Sequence, residues 1–452
     1  MLPGKLRSAL LACALAAGLF GGQPPVYKLL YSAPDPSSQG ARPETIFEAA
    51  PGFFYFLSGM GGLTFGPSIF SLTNAGAPKL IYSFQTQLLS YALVQGSDGR
   101  LYGSVSNPSD DDSFYYSVSA SGQGMQRFPT GRWGSMWSLT PTAGKLFDGV
   151  GTTAARQTFG FARIDQSGSV QVIYKLSSGQ GVPAPGEKLV LASDGNLYGV
   201  GCPATNLAPP FFVYRLTPSG EYTQILTFPS NFGAGYGAAL VAASDGNLYG
   251  TLSSAGTNNV GIVFETNLSG QWSTVANFPA KGSDEGFYDP NSLVEASDGA
   301  LYGATVHDAI FRFDLATHAL TLAYQMNPYN LQGSCAPCNF IQAMDGNLYG
   351  TAALGGPGGG AVFSLDFGLP KPTPGVEQLV PSSGSVGQKI LFWGSHLLGA
   401  TSVKFNGVPA TDFQVNSTQA LAATVPAGAT TGPVTVTTAN GKVTSRQSFT
   451  IQ

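Results

Sequence analysis

The sequence predicts an all-β protein: a seven-bladed β-propeller closed by an N-terminal strand, followed by a small β-sandwich. Three observations carry this expectation. A phrase returns at near-fixed spacing, GRLYGS from Gly99, GNLYGV from Gly195, GNLYGT from Gly246, GALYGA from Gly299 and GNLYGT from Gly346, with weaker copies at Gly52 and Gly144. These seven marker glycines are separated by 47, 45, 51, 51, 53 and 47 residues, near the period of a four-stranded propeller blade. The chain is also poor in charge, at 10%, and holds 60 glycines, as befits sheets covered on both faces and joined by frequent turns.

One unit shows how each is built. Ala239 to Ala243 is apolar, Ser244-Asp245-Gly246-Asn247 is a turn, Leu248 to Leu252 resumes an extended run, and Ile262-Val263-Phe264 and Thr274 to Phe278 follow. Four short runs with turn residues between them make an up-and-down sheet. Asp-Gly between apolar runs signals a hairpin, because glycine takes positive φ cheaply and the carboxylate can accept from nearby backbone N–H groups. The repeated Asp98, Asp194, Asp245, Asp298 and Asp345 are therefore assigned to turn structure, one turn made five times, and not to chemistry.

The last unit lacks a fourth run: after Ala361-Val362-Phe363-Ser364-Leu365 the chain enters Pro370-Lys371-Pro372-Thr373-Pro374. Lys28-Leu29-Leu30-Tyr31-Ser32 copies Lys79-Leu80-Ile81-Tyr82-Ser83, the fourth run of the first unit. An N-terminal strand completing the last blade removes both exposed sheet edges.

Ahead of that strand, Lys5 and Arg7 precede an apolar stretch from Ala9 to Phe20 and then Gly21-Gly22. That is the pattern of an export signal, too short to span a bilayer. Leu10-Leu11-Ala12-Cys13 imitates a lipid-attachment box, but its apolar stretch is very short before the cysteine and continues after it. The expected mature protein has no transmembrane segment and lies outside the cytoplasm, secreted, periplasmic or at the cell surface. Of the remaining cysteines, Cys335 and Cys338 in Cys-Ala-Pro-Cys read as a short-loop disulfide in an oxidising compartment, and the redox state of Cys202 is left open. A redox catalyst would need a helix N-terminus at the motif, and zinc would need ligand spacing that His307, His318 and His396 do not offer. No cofactor and no metal is expected. With a net charge of −4 and no run of Lys or Arg, nucleic acid is excluded as a partner.

The run Asp-Gly-Asn-Leu-Tyr-Gly-Thr, a glycine-rich loop, then Val-Phe and an aromatic-ended strand resembles the GloVer-type tandem repeat of exported bacterial proteins, and more loosely NHL-type blades, over about residues 45 to 368. That family is defined by architecture, so the resemblance implies a fold and carries over no catalytic residue. Its members often end in a surface-sorting tail, whereas this chain ends Phe449-Thr450-Ile451-Gln452. Residues 376–452 change vocabulary, with Pro381-Ser382-Ser383-Gly384-Ser385-Val386-Gly387, Ile390 to Gly394, Val403 to Ala410 and Gly432 to Thr438. They resemble an IPT/TIG domain, an immunoglobulin-like module that implies a spacer or adhesion role here. The expected layout is a signal peptide at 1–22, the propeller at 23–368, a Pro-rich linker at 369–375 and the IPT/TIG domain at 376–452.

Function is then expected where the repeat fails. In a meander the second-to-third-strand loops and the links between blades share one face, opposite the Asp-Gly turns, and irregular loops on a rigid scaffold are where binding evolves. Trp133, Trp137, Phe232, Tyr236, Tyr288 and Tyr329 lie in those links beside Asn231, Asp284, Asp289 and Asn330. Aromatic plates beside amides and carboxylates suit recognition of a carbohydrate or protein ligand at the extracellular surface; the same aromatics can instead wedge between blades. Asp110-Asp111-Asp112 reads as a solvated loop tip. The leading expectation is an exported non-catalytic binding or scaffold protein. The alternative is a secreted hydrolase or lyase acting on polysaccharide through carboxylates, against which stand the absence of a nucleophile elbow and a total of three histidines.

Overall fold

A computed structural model describes residues 24–33, 40–59, 66–84, 88–90, 92–106, 113–129, 133–134, 139–142, 145–152, 159–165, 167–177, 180–183, 188–203, 210–230, 232, 239–281, 287–326, 334–354 and 359–452. The described residues are all-β and contain no helix. Among them, seven antiparallel sheets of four or five strands lie between Val26 and Asp366, and two further sheets lie beyond Gly375. The unit around Gly246 is representative: Leu240–Ala242, Leu248–Leu252, Ile262–Thr266 and Trp272–Asn277 pair in sequence order. Its second and third strands are buried along almost their whole length, because each sheet is sandwiched between two others.

The seventh sheet is built from both ends of this region. Ser334–Gln342, Leu348–Leu354 and Ala361–Asp366 supply three strands, and Val26–Ser32 supplies the fourth. It runs antiparallel to Ala361–Asp366 with Val26 opposite Asp366 and Ser32 opposite Ala361, as the copied Lys-Leu-Leu-Tyr-Ser phrase predicts. Apolar clusters join neighbouring sheets around the ring. The last joins Ile46, Phe54 and Phe56 of the first sheet to Ala343, Tyr349 and Val362 of the seventh, with the Phe54 and Tyr349 rings stacked at 4.2 Å.

The second glycine of the repeated phrase has its own reason. Gly103, Gly199, Gly250, Gly303 and Gly350 stand directly opposite Tyr116, Tyr214, Phe264, Phe311 and Phe363 on the next strand. Each ring lies across its glycine, so a Cβ there would overlap the aromatic side chain. The glycine thus frees the space into which an inward-facing aromatic folds, and the aromatic covers backbone that glycine leaves bare.

Beyond the linker, Gly375–Val380, Lys389–Ser395, Ala420–Thr424 and Phe413–Ser417 form one sheet, and Ser383–Gly384, Gly441–Ile451, Gly432–Thr438, Ser402–Phe405 and Val408–Pro409 form the other. Val376, Ile390, Phe392, Phe405, Leu421, Val434, Val436 and Phe449 fill the space between. This is a small immunoglobulin-like sandwich with its own core.

Because the three atoms nearest to a Cβ added at Gly199 all belong to Tyr214, Gly199→Ala is expected to cost about 1–3 kcal/mol through overpacking. Combining it with Tyr214→Leu should cost less than the sum of the two single changes. A denaturant-unfolding double-mutant cycle reads the coupling, and strict additivity would show that the ring does not need the glycine.

Candidate functional site

The conserved geometry of the Asp-Gly turn consumes its chemistry. In the unit around Gly246, Ala243 N–H donates to Asn247 O at 2.9 Å and Gly246 N–H donates to Ala243 O at 3.0 Å, with Gly246 at φ +96°. This is a three-residue hairpin loop whose glycine takes the left-handed position. One carboxylate oxygen of Asp245 accepts from Asn247 N at 2.9 Å and the other accepts from the Tyr249 hydroxyl at 2.8 Å. The pattern repeats at Asp98 with Arg100 N and Tyr102, Asp194 with Asn196 N and Tyr198, Asp298 with Ala300 N and Tyr302, and Asp345 with Asn347 N and Tyr349. The five tyrosines are buried, and burial, then the neighbouring carboxylate in most of them, pushes their phenols up. The turn assignment of the five aspartates therefore has a second half that the sequence reading lacked: the Tyr four residues on is the hydrogen-bond donor that locks each carboxylate.

A further polar device joins neighbouring sheets on this side. Glu295 lies three residues before Asp298 and accepts from Ser244 N and Ser244 Oγ of the preceding sheet. Gln342, three before Asp345, accepts from Ser297 N at 2.8 Å and donates to Ser297 Oγ. Glu48, three before Pro51, accepts from Gly52 N in its own turn and from Met344 N in the seventh sheet, both at 2.8 Å. One position thus bridges each of these sheets to the one before it, including across the ring closure. Glu48 is 4% exposed, and burial pushes its carboxyl up to about 7 despite the two backbone donors. Glu44, near Arg42 just ahead of the same strand, is likewise raised to about 7 by burial.

The opposite side brings residues of separate connections together. The link after the fifth sheet reaches over two loops: Asp289 N donates to Val260 O at 2.7 Å, and Val306 N donates to Asp289 O at 3.0 Å. Asp289 sits at φ +56°, a conformation that Asp tolerates better than most residues. Its carboxylate oxygen is 3.1 Å from His307 Nε2 and 3.9 Å from Lys281 Nζ. The Tyr288 ring lies 4.1 Å from the His307 ring and has Lys281 Nζ 5.1 Å from its centroid. Side-chain exposure is 62% for Lys281 and 38% for His307. A cation, an imidazole, a carboxylate and an aromatic ring thus meet at the surface, all hydrogen-bonding or stacking groups of the kind that fix a polar ligand.

Of the aromatic residues singled out in the sequence, Tyr288 belongs to this cluster. Phe232 is half-buried, with Phe228 at 6.4 Å and Trp272 at 5.7 Å between ring centroids. The backbone of Trp133 pairs opposite Thr152. Trp137, Tyr236 and Tyr329 lie outside the described residues, as do Asp110, Asp111 and Asp112 and residues 1–22, which the sequence reads as an export signal. Cys335 and Cys338 lie in the strand Ser334–Gln342, where Cys338 is opposite Ala352; their side chains are not among those described. Lys281 was not singled out in the sequence, and His307 was weighed there only as a metal ligand. They are 26 residues apart, on two connections that only the ring brings into contact.

The architecture so far defines an all-β repeat propeller with a C-terminal immunoglobulin-like domain. Residues 185–389 match the Gloeobacter/Verrucomicrobia repeat, and residues 374–451 match the IPT/TIG domain. A search among curated protein sequences gave no match. Solved structures similar to this one include a streptogramin B lyase, with TM-score 0.53 and 15% identity over 75% of this chain and 97% of that one. An oligogalacturonate lyase from Vibrio parahaemolyticus has TM-score 0.52 and 9% identity over 75% and 93%. At such identity the likeness is one of fold. No helix among the described residues is long and apolar enough to cross a membrane.

Two expectations follow. Because Glu44 and Glu48 hold protons in the folded chain up to about pH 7 that an unfolded chain releases near its ordinary 4.5, stability should fall as pH rises between those values and level off above. The melting temperature is therefore expected to be higher at pH 5 than at pH 7.5, and the difference should shrink in Glu48→Gln; a pH dependence unchanged by that substitution would place the linkage elsewhere. Cys202 is 1% exposed and burial pushes its thiol up to about 11. It should resist alkylation at pH 8 in the folded protein and react on denaturation, as peptide mapping can establish.

Proposed function

We propose that this chain is an exported, non-catalytic binding or scaffold protein. Its irregular propeller face recognises a glycan or protein ligand, and the IPT/TIG domain serves as a second contact or adhesion module. The reading rests on one asymmetry. The carboxylates of the Asp-Gly turns are committed to Tyr hydroxyls and backbone N–H groups, whereas Lys281, Tyr288, Asp289 and His307 assemble at the surface from separate connections. The first arrangement holds a fold together. The second presents donors, an acceptor and a ring to a partner. Export is read from the N-terminal pattern of Lys5, Arg7 and the apolar run to Phe20.

A glycan and peptide array probed with the full mature chain tests the reading. A ligand class should bind, and Tyr288→Ala or Lys281→Ala should weaken it at least tenfold with little change in melting temperature. Absence of any bound class, together with turnover in a general hydrolase and lyase screen, would overturn it. One observation favours the second reading, a secreted polysaccharide hydrolase or lyase. His307 is oriented by the Asp289 carboxylate at 3.1 Å, the arrangement by which a carboxylate positions an imidazole for proton transfer. Under that reading turnover is abolished by His307→Ala and the binding array is secondary.

A further inference from the structure

We propose that the IPT/TIG module is a fixed clamp over the Asp-Gly turn face that holds the ring closure shut, and not a mobile spacer. The observations come from both domains and from the linker.

The module and linker reach the turns of four sheets. Asn416 Nδ2 donates to Ser97 O in the second sheet's turn at 2.6 Å, and a Cβ on Gly99 of that turn would touch Asn416 O. A Cβ on Gly195 of the fourth sheet's turn would touch Gln378 Nε2. Ser297 Oγ of the sixth sheet's turn donates to Pro370 O in the linker. In the seventh, Asn440 Nδ2 donates to Met344 O at 2.9 Å, Gln342 Nε2 reaches Pro370 O, and Gly346 packs on the Leu369 carbonyl. Contacts spread over the second, fourth, sixth and seventh sheets belong to an object seated across the ring. A domain swinging on a Pro-rich linker would not keep those made by Asn416, Gln378 and Asn440.

The seventh sheet receives the most of these contacts, and it is the one that needs them. Its outer strand comes from the chain's other end, so no covalent turn holds Val26–Ser32 to Ala361–Asp366; it is held by their pairing and by side-chain contacts such as Tyr27 on Tyr324 and Lys28 Nζ on Asn74 O. Loss of that pairing would strip the closing sheet of its outer strand and weaken the joint between the first and seventh sheets. Met344 stands at the centre of the arrangement: its N–H is held by Glu48 of the first sheet and its C=O by Asn440 of the module. Three parts of the molecule are tied through this one residue. The strand that pairs with the N-terminus also runs straight into the linker, where Phe367 is buried with its ring 5.4 Å from that of Tyr302. The module thus holds the inner turn of the closing sheet, while the linker holds the outgoing end against the sixth and seventh sheets' turns. Side-chain amides to backbone carbonyls are individually worth about 0.5–1.5 kcal/mol, so the clamp acts through their number and through local opening and not through any one bond.

Hydrogen exchange on the full chain tests this. In Asn416→Ala/Asn440→Ala, amides of Val26–Ser32 and Ala361–Asp366 are expected to exchange at least tenfold faster, while those of Leu248–Leu252 and Ile262–Thr266, in the fifth sheet, whose turn makes none of these contacts, keep their rates. No change at the seam, or an equal change in both regions, would overturn the clamp. Cysteine cross-linking in the folded full chain provides the independent arm. Ser97→Cys/Asn416→Cys should form the engineered disulfide, identified by peptide mapping, whereas Ser97→Cys/Lys404→Cys should not. Equal yields would show a module that tumbles on its linker.

Discussion

Ring closure is the constraint on which the rest of this structure depends. In a ring of seven sheets the last has its fourth strand only if it is finished by the first segment of the chain, and Val26–Ser32 against Ala361–Asp366 is that finish. The demand propagates inward. Each sheet must present an apolar face to both neighbours, which drives charged residues down to 10%, and the polar atoms that remain inside must find partners within the fold. The Asp-to-Tyr hydrogen bonds, the inter-sheet carboxylates and amides at Glu48, Glu295 and Gln342, and the glycines beneath aromatic rings are three answers to that demand.

Those answers were not equally legible in the sequence. The turns could be read because Asp and Gly recur in place, and the closing strand because Lys28 to Ser32 repeats Lys79 to Ser83 nearly letter for letter. The tyrosine's role was available in principle, since it recurs at a constant four residues from each Asp, but hydropathy assigns it simply to the core. Its hydroxyl explains why the phrase carries Tyr there: a buried phenol needs an acceptor, and the turn provides one. The bridging position was hidden for a different reason. Glu fills it at 48 and 295 and Gln at 342, and it lies three residues ahead of the turn and outside the recurring phrase, so a search for that phrase passes over it.

The surface cluster shows where reading by repeat stops. Lys281, Tyr288, Asp289 and His307 occupy the link between two sheets and the loop within the next, and no neighbouring unit repeats them. Proximity along the chain pointed to Tyr288 and Asp289, while the contribution of His307 depends on the sixth sheet folding back so that its loop lies beneath the link. For the same reason Phe232 could not be assigned from its sequence alone. An aromatic in a link can face solvent or its neighbours, and Phe232 has Phe228 and Trp272 beside it.

The two faces of the propeller consequently obey different rules. On the turn side every unit must solve the same problem, so residue identity is held by hydrogen bonds that repeat around the ring, and a substitution there acts on stability. On the other side the connections vary in length and composition, so identity is free to follow a partner. A carboxylate such as Asp245 is spent on its own Tyr and backbone, whereas Asp289 reaches between connections and meets His307 and Lys281 at the surface. The chemistry available to a ligand is set by that difference. A repeat protein can change what it recognises on one face without disturbing the closure that the other face maintains.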